Sequence, residues 1–173
     1  MAIKKLPLNI YNRPLMTFVN NHQELDLEAP YQRGLVWGED RKRSLIESVL
    51  DGTPIPALIL NDRFNAKFKA EGYDRDRLWA FAVIDGKQRV TALRDFTEDK
   101  FTVPAEWFEE EDIVEEAKGK ENIVYSDLTR AFHRGFTMNT IPVAEGRFDS
   151  LEGEKQVFDR VNFGGVAQGD SDF

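Results

Sequence analysis

At 173 residues, with 41% apolar and 12% aromatic content, the chain is sized for one globular domain. A domain of that size buries roughly 70% of its unfolded surface without a metal or disulfide staple. Its 31 acidic against 23 basic side chains leave a formal charge of −8, which opposes broad adhesion to nucleic acid or anionic membrane but not a local basic pocket. In chain order, residues 13–21 carry Leu15, Met16, Phe18 and Val19 behind Pro14, a pattern that predicts a short helix with proline in its first turn. Residues 25–30 alternate apolar with acidic side chains and predict an extended segment. From residue 39 to 50, Leu45, Ile46, Val49 and Leu50 keep helical spacing, with Gly52 as the stop. Thr53-Pro54-Ile55-Pro56 then turns the chain into a strand at 57–60.

Residues 62–77 are charged and predict a solvated hairpin loop, and the apolar run 78–84 predicts a buried strand. A helix follows at 87–96 through Val90, Leu93 and Phe96. The acidic stretch 108–121 suits a solvated helix face or loop. Helix at 126–137, strand at 140–144 and helix at 150–162 complete the chain. Without a strict βαβ rhythm, the fold class expected is α+β (mixed α/β), one small mixed sheet flanked by helices, with residues 1–173 as a single domain. No cysteine occurs, and His22 and His133 are the only histidines, which excludes disulfides, thiolate zinc, a cysteine nucleophile and histidine-rich metal sites. No leader peptide and no run near roughly 20 apolar residues is found, so a cytoplasmic protein without a membrane partner is expected.

Three stretches carry chemistry. In Val83-Ile84-Asp85-Gly86-Lys87-Gln88-Arg89 a buried strand ends at glycine and a helix starts at once. The first N–H groups of such a helix lack partners and lie at its positive end, and glycine lets a ligand approach the backbone, so the stretch reads either as ordinary capping and turn chemistry or as an anion site that Lys87, Gln88 and Arg89 would complete. Asp85 could hold Mg²⁺, orient water or cap the helix. In Pro30-Tyr31-Gln32-Arg33, followed by Trp37, polar Gln32 and Arg33 lie between apolar neighbours, and the aromatics could stack on a base or pack in the core. In Phe158-Asp159-Arg160-Val161-Asn162-Phe163-Gly164-Gly165, Arg160 and Asn162 face one turn while the glycines suit a helix end. The run Arg41-Lys42-Arg43 suits a solvated helix face.

Taken in this order, the motifs closely resemble the GmrSD-type restriction-endonuclease N-terminal domain family, whose hallmark is Asp-Gly-Gln-Gln-Arg. That family is similar to the ParB/sulfiredoxin superfamily, in which a helix, a Gly-Pro turn, a strand and a glycine-arginine turn build a nucleotide phosphate site. Ser48, Gly52 and Pro56 match the first part, and Gly86 with Arg89 the second. The resemblance implies a nucleoside-triphosphate site, with hydrolysis linked in some members to DNA cleavage or phage defence. Residue by residue it implies that Gly86 and Arg89 bind phosphate and that Asp85 holds a metal such as Mg²⁺ or water, while Lys87, outside the hallmark, would add its charge to the nucleotide site. Gln88 would orient the attacking water, and Gln32, Arg33, Arg160 and Asn162 would complete the nucleotide site.

Lys87 departs from the hallmark by adding charge and removing an amide. Larger members continue into an HNH-type nuclease domain, which the two distant histidines do not supply here. Two alternatives stay open. One is a small metal-dependent DNA endonuclease or nickase, and the other is a non-enzymatic regulatory or protein-binding module, pairing with a separately encoded nuclease subunit or acting in phage–host conflict. DNA contact and homo-oligomer formation are open too.

Overall fold

The computed structural model describes residues 5–20, 23–32, 34–64, 68 and 80–163. In chain order the elements are β1 (Asn9–Pro14), α1 (Met16–Val19), β2 (Leu25–Asp26), α2 (Glu39–Asp51), β3 (Leu58–Asp62), β4 (Phe81–Asp85) and α3 (Lys87–Thr97). There follow β5 (Val103–Pro104), β6 (Asn122–Ile123), α4 (Arg130–Met138), β7 (Thr140–Gly146) and α5 (Leu151–Phe163). Five strands form one mixed sheet in the order β1-β7-β3-β4-β2, and β5 with β6 forms a separate two-stranded ribbon. β1–β7 and β3–β4 are antiparallel, whereas β3–β7 and β2–β4 are parallel. The fold is α+β, as expected from the sequence.

Strand alternation sets the layers, because successive side chains point to opposite faces. Leu58, Leu60, Val83, Ile141 and Val143 meet Phe18 of α1, Leu45 and Ile46 of α2, and Val90, Leu93 and Phe96 of α3 in the main core. The residues between them, Ile59, Ile84 and Ala144, meet Val157 and Phe158 of α5. The sheet is thus sandwiched, with α1–α3 on one face and α5 on the other. Helix α2 starts after extended Gly38, carries Glu39 and Asp40 at its positive end, and stops at Gly52 with φ +78°.

A buried charge network pins α5. Glu154, fully buried, accepts from Arg63 Nε at 2.7 Å and Nη2 at 2.6 Å, from Asn61 Nδ2 at 2.7 Å and from the Tyr31 hydroxyl at 2.9 Å. Arg63 also donates to Asp26 at 2.7 Å. Burying such charges is tolerable only when they are paired and hydrogen-bonded, as here.

Two expected elements are corrected. Residues 13 and 14 do not open a helix but end β1, and α1 spans only Met16–Val19. β1 is an edge strand, where a proline without an N–H is tolerated, and Arg13 and Tyr11 tie it to Glu145 of β7. The helix expected from 126 begins at Arg130, after a 3-10 turn at Tyr125–Asp127, because Thr129 caps it by accepting from Phe132 N at 3.3 Å. The acidic stretch, expected to be solvated, does expose Glu109, Glu110 and Glu111, in short 3-10 turns. Residues 78 and 79, at the start of the expected strand, and most of the expected loop lie outside the described residues, although Asp62 belongs to β3 and, with Arg63, is buried and not solvated as expected.

Candidate functional site

Where β4 ends and α3 begins, a cavity of about 850 Å³ opens. Its walls come from Gln32, Val36 and Trp37, from α2, from the Ile55–Pro56 turn, from residues 84–89 and from α5. Arg41, Lys87 and Arg89 line it, with Asp85 as the single carboxylate among its described lining residues. In a chain of net charge −8, that local cationic balance favours an anionic ligand.

Gly86 makes the floor. Its φ of +106° is open to glycine and rarely to other residues, and a Cβ there would collide with the Leu58 side chain. The turn therefore feeds β4 directly into α3, with the unpaired N–H groups of the first helical turn at the cavity. Arg89, one turn into α3, donates Nη2 to Asp85 Oδ2 at 2.7 Å and Nη1 to the Pro56 carbonyl. Burial pulls the Arg89 pKa below its ordinary value, and the Asp85 charge offsets part of this. Oδ1 of Asp85 carries no protein hydrogen bond among the described residues. Lys87 lines the cavity with its ammonium 3.2 Å from Glu28.

Gln88 is fully engaged. Its Oε1 accepts from Val36 N at 3.2 Å and Trp37 N at 3.3 Å, and its Nε2 donates to Gly34 O at 2.9 Å. The amide clamps the backbone of the 34–37 loop instead of facing an open position for water. Gln32 donates Nε2 to the Val83 carbonyl, while its Oε1 is buried without a partner among the described residues. Asn162 lines the cavity and donates to Phe158 O at 2.8 Å in its own helix.

The structure thus brings Gln32, Asp85, Gly86, Lys87, Gln88, Arg89 and Asn162 to one cavity. Arg160, expected beside Asn162, is exposed and does not line it: on α5 the residues that turn inward are Phe158, Val161 and Asn162. Arg33, Gly164 and Gly165 lie outside the described residues. Tyr31 packs in the core, its ring 5.6 Å from that of Phe158 and its hydroxyl on Glu154, and burial together with that carboxylate drives its pKa far above the usual phenol value. His133 stacks on Tyr125 at 4.0 Å, away from the cavity lining.

Arg41, Ser44 and Ser48 also line the cavity. Their spacing along α2 puts them on one helical face with Leu45, and that was the available signal. Of the basic run expected on a solvated face, Arg41 is exposed, whereas Lys42 and Arg43 are half-buried and turn to Asp95 at 2.6 Å and Glu39 at 2.8 Å. Among the described residues no three His, Asp or Glu side chains group as a metal site, and no helix is long and apolar enough to cross a membrane.

Comparison with known proteins gives one match: the family model described as GmrSD restriction endonuclease, N-terminal domain, covers residues 15–173. No curated protein and no solved structure matches the chain.

Proposed function

Because the chain belongs to the GmrSD restriction endonuclease N-terminal domain family, which relates it to restriction and phage-defence systems, we propose that the cavity binds a nucleoside triphosphate and hydrolyses it. The observation that carries this reading is the Gly86 turn, which opens a helix N-terminus into a cavity lined by three cations in an otherwise acidic chain. The triphosphate lies against the Gly86–Gln88 backbone, and Arg89 and Lys87 exchange their carboxylate partners for phosphate oxygens. Mg²⁺ fits this donor set, since it is usually held by one or two carboxylates with substrate phosphates and water. Asp85 would hold it, and the ion would neutralise charge on the transferring phosphoryl group. Asp85 also keeps Arg89 in place before the ligand arrives.

The engagement of Gln88 with the 34–37 loop favours a second reading, in which the same cavity binds nucleotide without turning it over. DNA cleavage has no comparable support, because Asp85 stands without a second carboxylate among the described lining residues.

The test incubates ATP, GTP, CTP and UTP separately with the protein and Mg²⁺, and follows binding by calorimetry and products by chromatography. Arg89→Ala is expected to weaken binding by about 10- to 100-fold, the worth of a hydrogen bond to a charged group. Asp85→Ala is expected to keep binding and lose turnover. Binding in Arg89→Ala equal to wild type overturns the reading, and turnover that survives in Asp85→Ala removes Asp85 from the chemistry.

A further inference from the structure

Of the cations lining the cavity, Lys87 and Arg89 are paired with Glu28 and Asp85. Arg41 has no carboxylate partner among the described residues, because Glu39 and Asp40 beside it both go to Arg43. Its guanidinium instead lies over the indole of Trp37, 5.0 Å from the ring centroid. Trp37 is itself fixed: its side chain packs on the main core and its backbone N–H is held by Gln88. The cavity therefore has two chemically distinct regions. The Gly86 turn offers backbone N–H groups and paired cations, whereas the region of Trp37 and Arg41 offers a guanidinium held over an aromatic ring.

We propose that Trp37 and Arg41 form the nucleobase platform of this cavity, the guanidinium receiving a planar base on the face turned away from the indole. The assignment rests on the nucleotide reading above. Arginine suits the role because its delocalised planar group stacks on π-systems, which a compact ammonium does not. The preformed contact with Trp37 spares part of the ordering cost on binding. Along the same face of α2, Ser48 donates its hydroxyl to Ser44 O at 2.9 Å and Ser44 donates to Asp40 O at 3.1 Å. These hydroxyls so arranged present lone pairs to the cavity, which repel phosphate oxygens and accept from the N–H groups of a base.

The test measures binding of the tightest of ATP, GTP, CTP and UTP, and separately of inorganic tripolyphosphate, to wild type, Arg41→Ala, Arg41→Lys and Arg89→Ala. Arg41 is exposed, so its variants should fold, and circular dichroism with thermal melting checks this. Trp37→Phe, which keeps a ring, is the second probe. Arg41→Ala is expected to weaken the nucleotide about tenfold, the worth of a stacked base. It should leave tripolyphosphate within about threefold, the effect of one exposed charge. Arg41→Lys should not restore nucleotide binding, while Arg89→Ala should weaken both ligands. Trp37→Phe should follow Arg41→Ala with a smaller loss.

Equal weakening of both ligands by Arg41→Ala, rescued by lysine, makes Arg41 a phosphate contact and overturns the platform. So does unchanged nucleotide binding in Arg41→Ala. A wild-type protein that binds tripolyphosphate as tightly as any nucleotide overturns the platform alone. One that binds neither overturns the nucleotide reading and the platform with it.

Discussion

Gly86 carries two constraints at once, a φ of +106° and a near neighbour in Leu58. Gly86→Ala is therefore expected to lose about 1–2 kcal/mol to backbone strain, with a further loss as Leu58 moves aside. Urea denaturation read against wild type checks this, and an unchanged midpoint would mean that the turn relaxes freely. Residues whose role is local were legible in the sequence: Asp85, Gly86, Lys87 and Arg89 sit within five positions, and a strand ending at glycine before a helix already places them together. Arg41 was not legible, because its neighbours Lys42 and Arg43 are equally basic and only the docking of α2 separates the three. Gln88 shows the same limit from another side. Its position was evident, but its hydrogen-bond partners are backbone groups more than fifty residues away.

At the level of elements, α5 supplies one wall of the cavity and depends on a charge for its seat. Replacing Glu154 with glutamine removes one of the two carboxylates on buried Arg63, which keeps Asp26, so the loss is that of a charged hydrogen bond, about 1.5–3 kcal/mol. Glu154→Gln is thus expected to lower the melting temperature by roughly 3–12 °C for a chain of this length. Calorimetry checks it, and an unchanged melting temperature would mean that the neutral amide holds the seat as well as the carboxylate does. Helices α2 and α3, whose apolar residues keep helical spacing and whose ends are marked by glycine, were legible from the sequence. β1 was not. It is largely exposed, ends in proline and lacks alternation, so it exists as a strand only by pairing with β7. Glu154 was equally silent, since a lone carboxylate on an amphipathic helix ordinarily faces water.

Across the whole molecule, acid should act through carboxylates that the fold holds ionised. Burial alone would raise the pKa of Asp95, but hydrogen bonds from Lys42 and Lys100 outweigh it and hold the value below 3.8. Asp127, bonded to Lys120 and Val124 N, and Asp51, bonded to Thr53 N, are also held low. A depressed folded value means that the stabilisation is fully present above the unfolded value of 3.8 and is lost as pH falls through the lower, folded one. Asp95→Asn is expected to be less stable than wild type at neutral pH and to lose less of its stability on acidification, which denaturant titrations at a series of pH values would show. Parallel loss in both proteins would remove Asp95 from the acid response.

The molecule's connectivity also bears on the order in which it is made. β1 pairs with β7 across registers such as Asn9 with Glu145, and the cavity needs both the segment starting at Gln32 and helix α5, which ends at Phe163. A chain leaving the ribosome amino terminus first holds its opening strand without a partner until nearly the whole described fold has emerged. Ligand capture then becomes a late event in biogenesis. A molecule that retains ligand has thereby completed its long-range closure, and mass action from that ligand favours finished chains over partial ones.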